Sequence, residues 1–98
     1  MTRSDDKVAC RTPNPDKPGV TNIPAWKFDA CRDAILAELA DGPVRASAVA
    51  DAAGRRMTDA VRRDLGSLGW HMTTVRLELE VRGELRRLPG SPLRIERS

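Results

Sequence analysis

The clearest periodic pattern of apolar and polar positions lies between residues 24 and 39. Apolar side chains recur there at spacings of three, four and four residues, at Phe28, Cys31, Ile35 and Leu39. This spacing places them on one face of an α-helix, and Pro24 is suited to the first turn of that helix. The segment Asp41–Pro43 follows. Because glycine favours a helix C-terminus and proline cannot continue a helix, we predict that this helix ends there.

Weaker patterns predict two shorter helices in the middle of the chain. Val44–Arg45 suits a strand of one or two residues. Ser47 is predicted to N-cap a helix over Ala48–Ala53 that ends at Gly54, and Thr58 is predicted to cap a further helix. The apolar residues expected on the inner face of that further helix are Val61, Leu65 and Leu68.

Two periodicities overlap in the segment from Trp70 to Arg82. Alternation with charged residues, typical of a strand, involves Val75, Leu77, Leu79 and Val81. Helical spacing of four, three and four is shown by Leu68, Met72, Val75 and Leu79. Leucine, glutamate and arginine are good helix formers, and Gly83 separates the segment from the next apolar run. We therefore predict a helix over 70–82.

A β-hairpin is predicted beyond Gly83. Glu84–Leu88 and Leu93–Glu96 alternate between apolar and charged residues, and the turn Pro89–Pro92 separates them. On such a hairpin Arg86 and Arg94 are expected to share one face. The side chains expected to pack inward are Leu85, Leu93 and Ile95.

The first 23 residues predict an extended, proline-rich arm, because closely spaced prolines exclude a helix. The prolines of the arm are Pro13, Pro15 and Pro18, and Pro24 follows directly after it. A short edge strand is compatible with Val8–Arg11, and we expect fraying at the first few residues. The predicted organisation is thus an arm over 1–23 and one folded domain over 24–98.

Composition and charge indicate what the core is made of and which kind of partner the protein favours. A chain of 98 residues forms one domain, and aromatic residues make up only 3%, so its core must rest on aliphatic side chains. The net charge of +3 is unevenly distributed. Residues 43–98 hold 11 arginines and 7 acidic residues, whereas residues 1–42 hold 6 basic and 7 acidic ones. A basic C-terminal half favours contact with a polyanion.

No motif for catalysis, a cofactor or a metal is apparent in the sequence. Cys10 and Cys31 form neither a CxxC pair nor a ligand spacing with His71, and no nucleophile elbow or phosphate loop occurs. We therefore expect a protein that is not an enzyme and uses no cofactor. The N-terminal sequence has no apolar run, so we also expect no signal peptide or membrane span, and a cytoplasmic location.

Two stretches of the chain resemble known proteins. Residues 13–19 resemble the N-P-N-x-P-G arm of a family of small bacterial proteins without assigned function. Residues 69–94 read G-W-x-x-x-x-V-x-L-x-L-E-x-x-G and close on P-L-R, which is similar to the same family. The order of helix, glycine and basic hairpin also resembles the winged helix-turn-helix superfamily. This resemblance implies an α+β fold with three or four short helices and a C-terminal two-stranded wing.

The resemblance further implies non-catalytic binding of double-stranded DNA, as in a small transcriptional regulator. The helix over 70–82 would enter the major groove, where arginine reads guanine and threonine or histidine contacts bases or backbone. Arginine forks on the wing would contact phosphate oxygens. The candidate nucleic-acid-binding residues are His71, Thr73, Thr74, Arg76, Arg86, Arg87 and Arg94.

Each candidate also has a purely structural explanation. Arginines on the helix can pair with Glu78 and Glu80, and charges on edge strands prevent pairing with other chains. The doublet at 62–63 is expected to pair with Asp59 and Asp64. Trp70 is expected to anchor the core, with base stacking as its alternative, and the same alternatives apply to Trp26.

Alternatives for the function remain open as well. A protein–protein interaction module can use the same scaffold, since a fold does not determine a function. RNA binding through the basic face is another alternative. A homodimer, if it forms, would use the arm or the first helix, because the sequence shows no coiled-coil extension.

Overall fold

The computed structural model describes residues 6–14, 16 and 19–98, and in that part of the chain four α-helices and five strands make an α+β arrangement. The helices are α1 (Ala25–Leu39), α2 (Val49–Gly54), α3 (Asp59–Leu65) and α4 (Leu68–Val81). The strands are β1 (Lys7–Cys10), β2 (Thr21–Pro24), β3 (Val44–Arg45), β4 (Leu85–Leu88) and β5 (Arg94–Arg97). None of the helices in the described residues is long and apolar enough to cross a membrane.

The core lies between α1 and α4. Helix α1 buries the four apolar positions that its periodicity predicts, together with Ala34. Helix α4 buries Met72, Val75 and Leu79, which recur every three or four residues, whereas Leu77 and Val81 stay partly exposed. The prediction of a helix rather than a strand in this segment is confirmed. The helix begins two residues earlier than predicted, since Ser67 accepts a hydrogen bond from the backbone N–H of Trp70 at 3.3 Å.

The C-terminal hairpin is confirmed within one residue at each strand end. Strand β5 lies between β3 and β4, and both pairings are antiparallel. Ile95 and Leu85 point into the core, and Val44, which is directly opposite Ile95, packs against it. Because side chains alternate across a strand, the opposite face of this sheet carries Arg45, Arg86, Arg94 and Glu96.

The segment predicted as an extended arm contains two paired strands. β1 and β2 are antiparallel, with Val8 opposite Ile23 and Cys10 opposite Thr21. Cys10 and Ile23 are buried in the same core as α1 and α4, so this N-terminal ribbon is part of the folded unit. The fraying expected at the first residues, and the prolines at 15 and 18, lie outside the described residues.

The predicted N-cap is confirmed for α3 and is wrong for α2. Thr58 accepts a hydrogen bond from the backbone N–H of Val61 at 3.2 Å, as predicted for the start of α3. Ser47 is not an N-cap, because it lies in a 3₁₀ turn over Ala46–Ala48 and α2 begins only at Val49, which is buried. This 3₁₀ turn is fixed by the backbone N–H of Ala46, which donates to the carbonyl of Leu93 at 2.9 Å.

Gly54 lies where the end of α2 approaches α4. A Cβ atom on Gly54 would lie 2.6 Å from a terminal methyl group of Leu68. A side chain at position 54 would require the Leu68 side chain to shift, whereas glycine lets the end of α2 lie against the start of α4 without this change. At the other end of α4, Gly83 has a φ of +80° and turns the chain directly into β4.

A buried carboxylate joins the N-terminal ribbon to α4. The Glu78 side chain is 1% exposed and accepts hydrogen bonds from the backbone N–H of Arg11 at 2.8 Å and from its Nε at 3.0 Å. Its other oxygen accepts from Arg11 Nη2 at 2.8 Å and from Arg82 Nε at 2.7 Å. Burial opposes the charge, but the hydrogen bonds from Arg11 and Arg82 prevail and lower the pKa of Glu78 to about 2.

We expect Glu78→Gln to destabilise the protein at neutral pH by about 3 kcal/mol, the linkage value for a carboxyl whose pKa falls from 4.5 to about 2 on folding. Because the folded pKa is the lower one, this stability is present above about pH 4.5 and is lost as the pH falls toward 2. Denaturant unfolding from pH 7 to pH 2 measures the effect, and the two proteins should converge in acid.

Glu38→Gln is the matched control, since Glu38 pairs with Arg56 at the surface and is 24% exposed. This variant should lose less than about 1 kcal/mol. An equal loss in the two variants, or a pH-independent difference for Glu78→Gln, would contradict the assignment.

Candidate nucleic-acid interface

The outer face of α4 exposes fewer polar side chains than the sequence predicts. Thr73 is exposed and Thr74 is half-buried. The prediction that His71 is exposed is wrong, because it is 9% exposed and its Nδ1 lies 2.6 Å from the carbonyl oxygen of Ser67. The early start of α4 places His71 in the first turn, where the ring folds back over the N-cap.

Arg76 and Arg87 are both held by Glu80. Arg76 Nη1 lies 2.7 Å from Glu80 Oε2, and Arg87 Nε donates to Glu80 Oε1. The Glu80 side chain is only 5% exposed, and burial lowers the pKa of Arg76 in spite of this carboxylate. The cluster therefore neutralises one positive charge of α4 and ties the wing to that helix.

Arg86 and Arg94 lie on the same outer face of the wing, as predicted, but their surroundings differ. Arg86 is opposite Glu96 in the register and donates to it through Nε at 3.2 Å and Nη2 at 3.0 Å. Arg94 is exposed and lies directly opposite Arg45 of β3. Within the described residues, neither Arg94 nor Arg45 has a carboxylate within ion-pair distance.

Sequence reasoning missed Arg45 as a member of this surface. The segment containing it is recognisable as a short strand, but its partner strand is fifty residues away in the sequence. Only the pairing with β5 brings two arginines side by side. The signal that could have found it is the alternation of Val44 inward and Arg45 outward, combined with the same alternation of Ile95 and Arg94.

Arg62 and Arg63 of α3 are also without acidic partners among the described residues. The prediction that Arg62 and Arg63 pair locally with Asp59 and Asp64 is wrong, since no such ion pair forms among the described residues. The exposed arginines that the described part of the chain leaves without a carboxylate partner are Arg45, Arg55, Arg62, Arg63, Arg94 and Arg97.

Both tryptophans are more exposed than a core anchor would be. Trp70 is 49% exposed and Trp26 is 38% exposed, so the prediction that Trp70 packs in the core is wrong. The Trp70 ring lies edge-on to His71 at 4.8 Å, and Lys27 Nζ lies 5.6 Å from the Trp26 ring centre. Aliphatic side chains, with Phe28, fill the core instead.

The two cysteines belong to the interior. Burial raises the pKa of the Cys10 thiol, and it raises that of Cys31 to about 12. A thiol with such a pKa is a poor nucleophile and a poor metal ligand at neutral pH. Among residues 6–14, 16 and 19–98, no group of three His, Cys, Asp or Glu side chains is placed to hold a metal ion.

Comparison with known proteins places the chain in a family but gives it no activity. A family model described as a family of unknown function (DUF6958) matches residues 7–95. The chain belongs to this family. The DUF6958 match begins at the first residue of β1 and ends in β5, so it includes the N-terminal ribbon as well as the wing. No curated protein and no solved structure matches the chain.

The different burial of Glu80 and Glu96 generates a prediction about the two wing arginines. Glu80→Gln should destabilise the protein by about 2–3 kcal/mol, because it leaves the buried guanidinium of Arg76 without its countercharge. Glu96→Gln changes the same chemical group on a pair whose arginine is 65% exposed and should lose less than about 1 kcal/mol. Denaturant midpoints measure both, and equal losses would show that the Glu80 cluster contributes no more than a surface pair.

Proposed function

We propose that this protein binds double-stranded DNA without catalysing a reaction, on a winged helix-turn-helix scaffold. The order of elements supports the scaffold: one helix, a short strand, three helices and a two-stranded hairpin. The strand order supports it as well, since the early strand β3 pairs with the last strand and closes a sheet in the order β3-β5-β4. Helix α4, which runs directly into β4, has the position of a recognition helix in this arrangement.

The observation that carries the proposal is the pair Arg45 and Arg94. Residues directly opposite in an antiparallel sheet have Cβ atoms about 5 Å apart, and like charges there repel each other. This pair is exposed, and no carboxylate of the described residues compensates it. A polyanion removes the repulsion, since two guanidinium groups at this spacing can each donate to oxygens of a phosphate backbone.

We assign no phosphate contact to three of the arginines that the sequence predicts as nucleic-acid-binding. Arg76, Arg86 and Arg87 are paired with acids inside the protein, so contact with phosphate would require each pair to break. Thr73 and Thr74 remain the polar side chains of α4 that are free to approach base edges. We therefore assign the phosphate contacts to Arg45 and Arg94 and leave sequence preference to the two threonines.

Two double variants with the same loss of charge test this assignment. The variant Arg45→Ala with Arg94→Ala should weaken binding to duplex DNA and reduce the slope of log K against log salt by about two, one unit per lost phosphate contact. The variant Arg86→Ala with Arg87→Ala is the matched control. It removes two charges that are already paired, so its slope should change by less than half as much. Fluorescence anisotropy at several salt concentrations measures both.

The outcomes separate the alternatives. Equal slope changes in the two variants would mean that net charge alone drives binding. The absence of binding to any duplex at low salt would reject the proposal, and tighter binding of duplex RNA would move it to RNA.

A second candidate function is self-association through the outer face of α4. Trp70, Thr74, Leu77 and Val81 follow one another at spacings of four, three and four residues, so they share one face of the helix. A half-exposed tryptophan on such a face is typical of a protein–protein contact.

For this second candidate we expect Trp70→Ala to weaken dimerisation by about tenfold or more, the effect of truncating a central aromatic residue in an interface. Sedimentation equilibrium measures the change, with Trp26→Ala as the control because Trp26 lies on α1 and not on this face. A wild-type protein that stays monomeric at all concentrations, or one whose mass is unchanged by Trp70→Ala, excludes this function.

A further inference from the structure

An open cleft lies beside the wing, on the side of the N-terminal segment. Its volume is about 630 Å³, and it is lined by Pro13, Asn14, Glu80, Leu85, Arg86 and Arg87. Three consecutive residues of β4 take part and none of β5 does. Because β4 is at the edge of its sheet, the cleft runs along the free edge of this strand.

The backbone of β4 directs unpaired groups toward this cleft. The N–H of Ser98 donates to the carbonyl of Glu84 at 3.0 Å, which extends the β4–β5 ladder by one residue. Hydrogen-bonded pairs alternate along an antiparallel ladder, so Arg86 and Leu88 bond to β5 while Leu85 and Arg87 do not. The N–H and carbonyl groups of Leu85 and Arg87 therefore point away from the sheet, along its open edge.

The side chains around the cleft give it a positive charge. Arg86 and Arg87 line it with two guanidinium groups, against the one carboxylate of Glu80. Arg87 uses only Nε for its bond to Glu80, so both of its terminal nitrogens keep donors that no group of the described residues accepts from. These donors and the strand edge lie in the same cleft.

We propose that the free edge of β4 binds an extended acidic peptide segment, which adds a strand to the sheet. The backbone groups of Leu85 and Arg87 would pair with the peptide backbone, and the free terminal nitrogens of Arg87 would hold its carboxylates. Asn14 and Pro13 form the opposite wall. This site is separate from the Arg45 and Arg94 surface, and it does not depend on DNA binding.

A capped hexapeptide of alternating threonine and glutamate is a suitable probe, because alternation places every carboxylate on one face of a strand. In the free protein the amides of Leu85 and Arg87 should exchange with solvent faster than those of Arg86 and Leu88. Adding the peptide should slow the first two and leave the others unchanged. Hydrogen exchange followed by NMR measures all four amides in the full chain.

Affinity measurements separate strand addition from simple charge attraction. The variant Arg86→Ala with Arg87→Ala should bind the peptide about tenfold more weakly, the effect of losing one charge-assisted hydrogen bond. The variant Arg45→Ala with Arg94→Ala has the same net charge and should bind as the wild type does. A peptide with N-methylated backbone amides keeps its carboxylates but loses its donors, and it should bind at least about tenfold more weakly.

Three results would overturn the proposal. One is unchanged exchange at Leu85 and Arg87 at peptide concentrations of about 1 mM, which would mean that the arginines only protect the edge from other chains. Another is equal binding of a peptide in which lysine replaces glutamate. The third is full affinity of the N-methylated peptide, which would reduce the site to an electrostatic patch.

Discussion

The arrangement of this fold depends on a buried negative charge, the carboxylate of Glu78. A carboxylate without countercharge would destabilise the interior, so the folded state requires Arg11 and Arg82 to surround it. Arg82 also lies over the Phe28 ring, with its guanidinium carbon 4.7 Å from the ring centre, and so connects the end of α4 to α1. Since Arg11 follows β1 directly, satisfying Glu78 also fixes the N-terminal ribbon against α4, and with it the position of Pro13 and Asn14 beside β4.

A second carboxylate, Glu80, has a comparable effect on the wing. It lies two residues after Glu78 on α4 and binds Arg76 of the same helix and Arg87 of β4. If this segment were a strand, both acids would lie on the same face, in solvent. In the helix they point to different neighbours, one toward the ribbon and one toward the wing. The N-terminal ribbon and the wing are therefore both held by the same turn of α4.

Sequence periodicity predicts the four helices and the hairpin closely, because each depends on local spacing and on caps such as Thr58. It fails where a contact joins distant segments. The burial of Cys10 and Ile23 follows from a ribbon that contacts Glu78 and the core residues of α4, which are far away in the sequence. Ser47 is not the predicted N-cap, because the backbone N–H of Ala46 donates to the carbonyl of Leu93, far along the chain. The candidate site shows the same limit, since exposure of His71 and Trp70 depends on where α4 begins.

Charge composition alone does not show which arginines of this protein are free to bind a partner. The sequence has 17 basic residues, and the doublet at 86–87 looks as basic as any other pair of arginines. Folding divides the arginines into two groups. The arginines of one group form ion pairs with carboxylates of other elements, as at Glu78, Glu80 and Glu84, and these pairs stabilise the fold. The other group stays unpaired on the surface. Like charges directly opposite each other in a sheet repel, so folding alone does not account for the pair of Arg45 and Arg94.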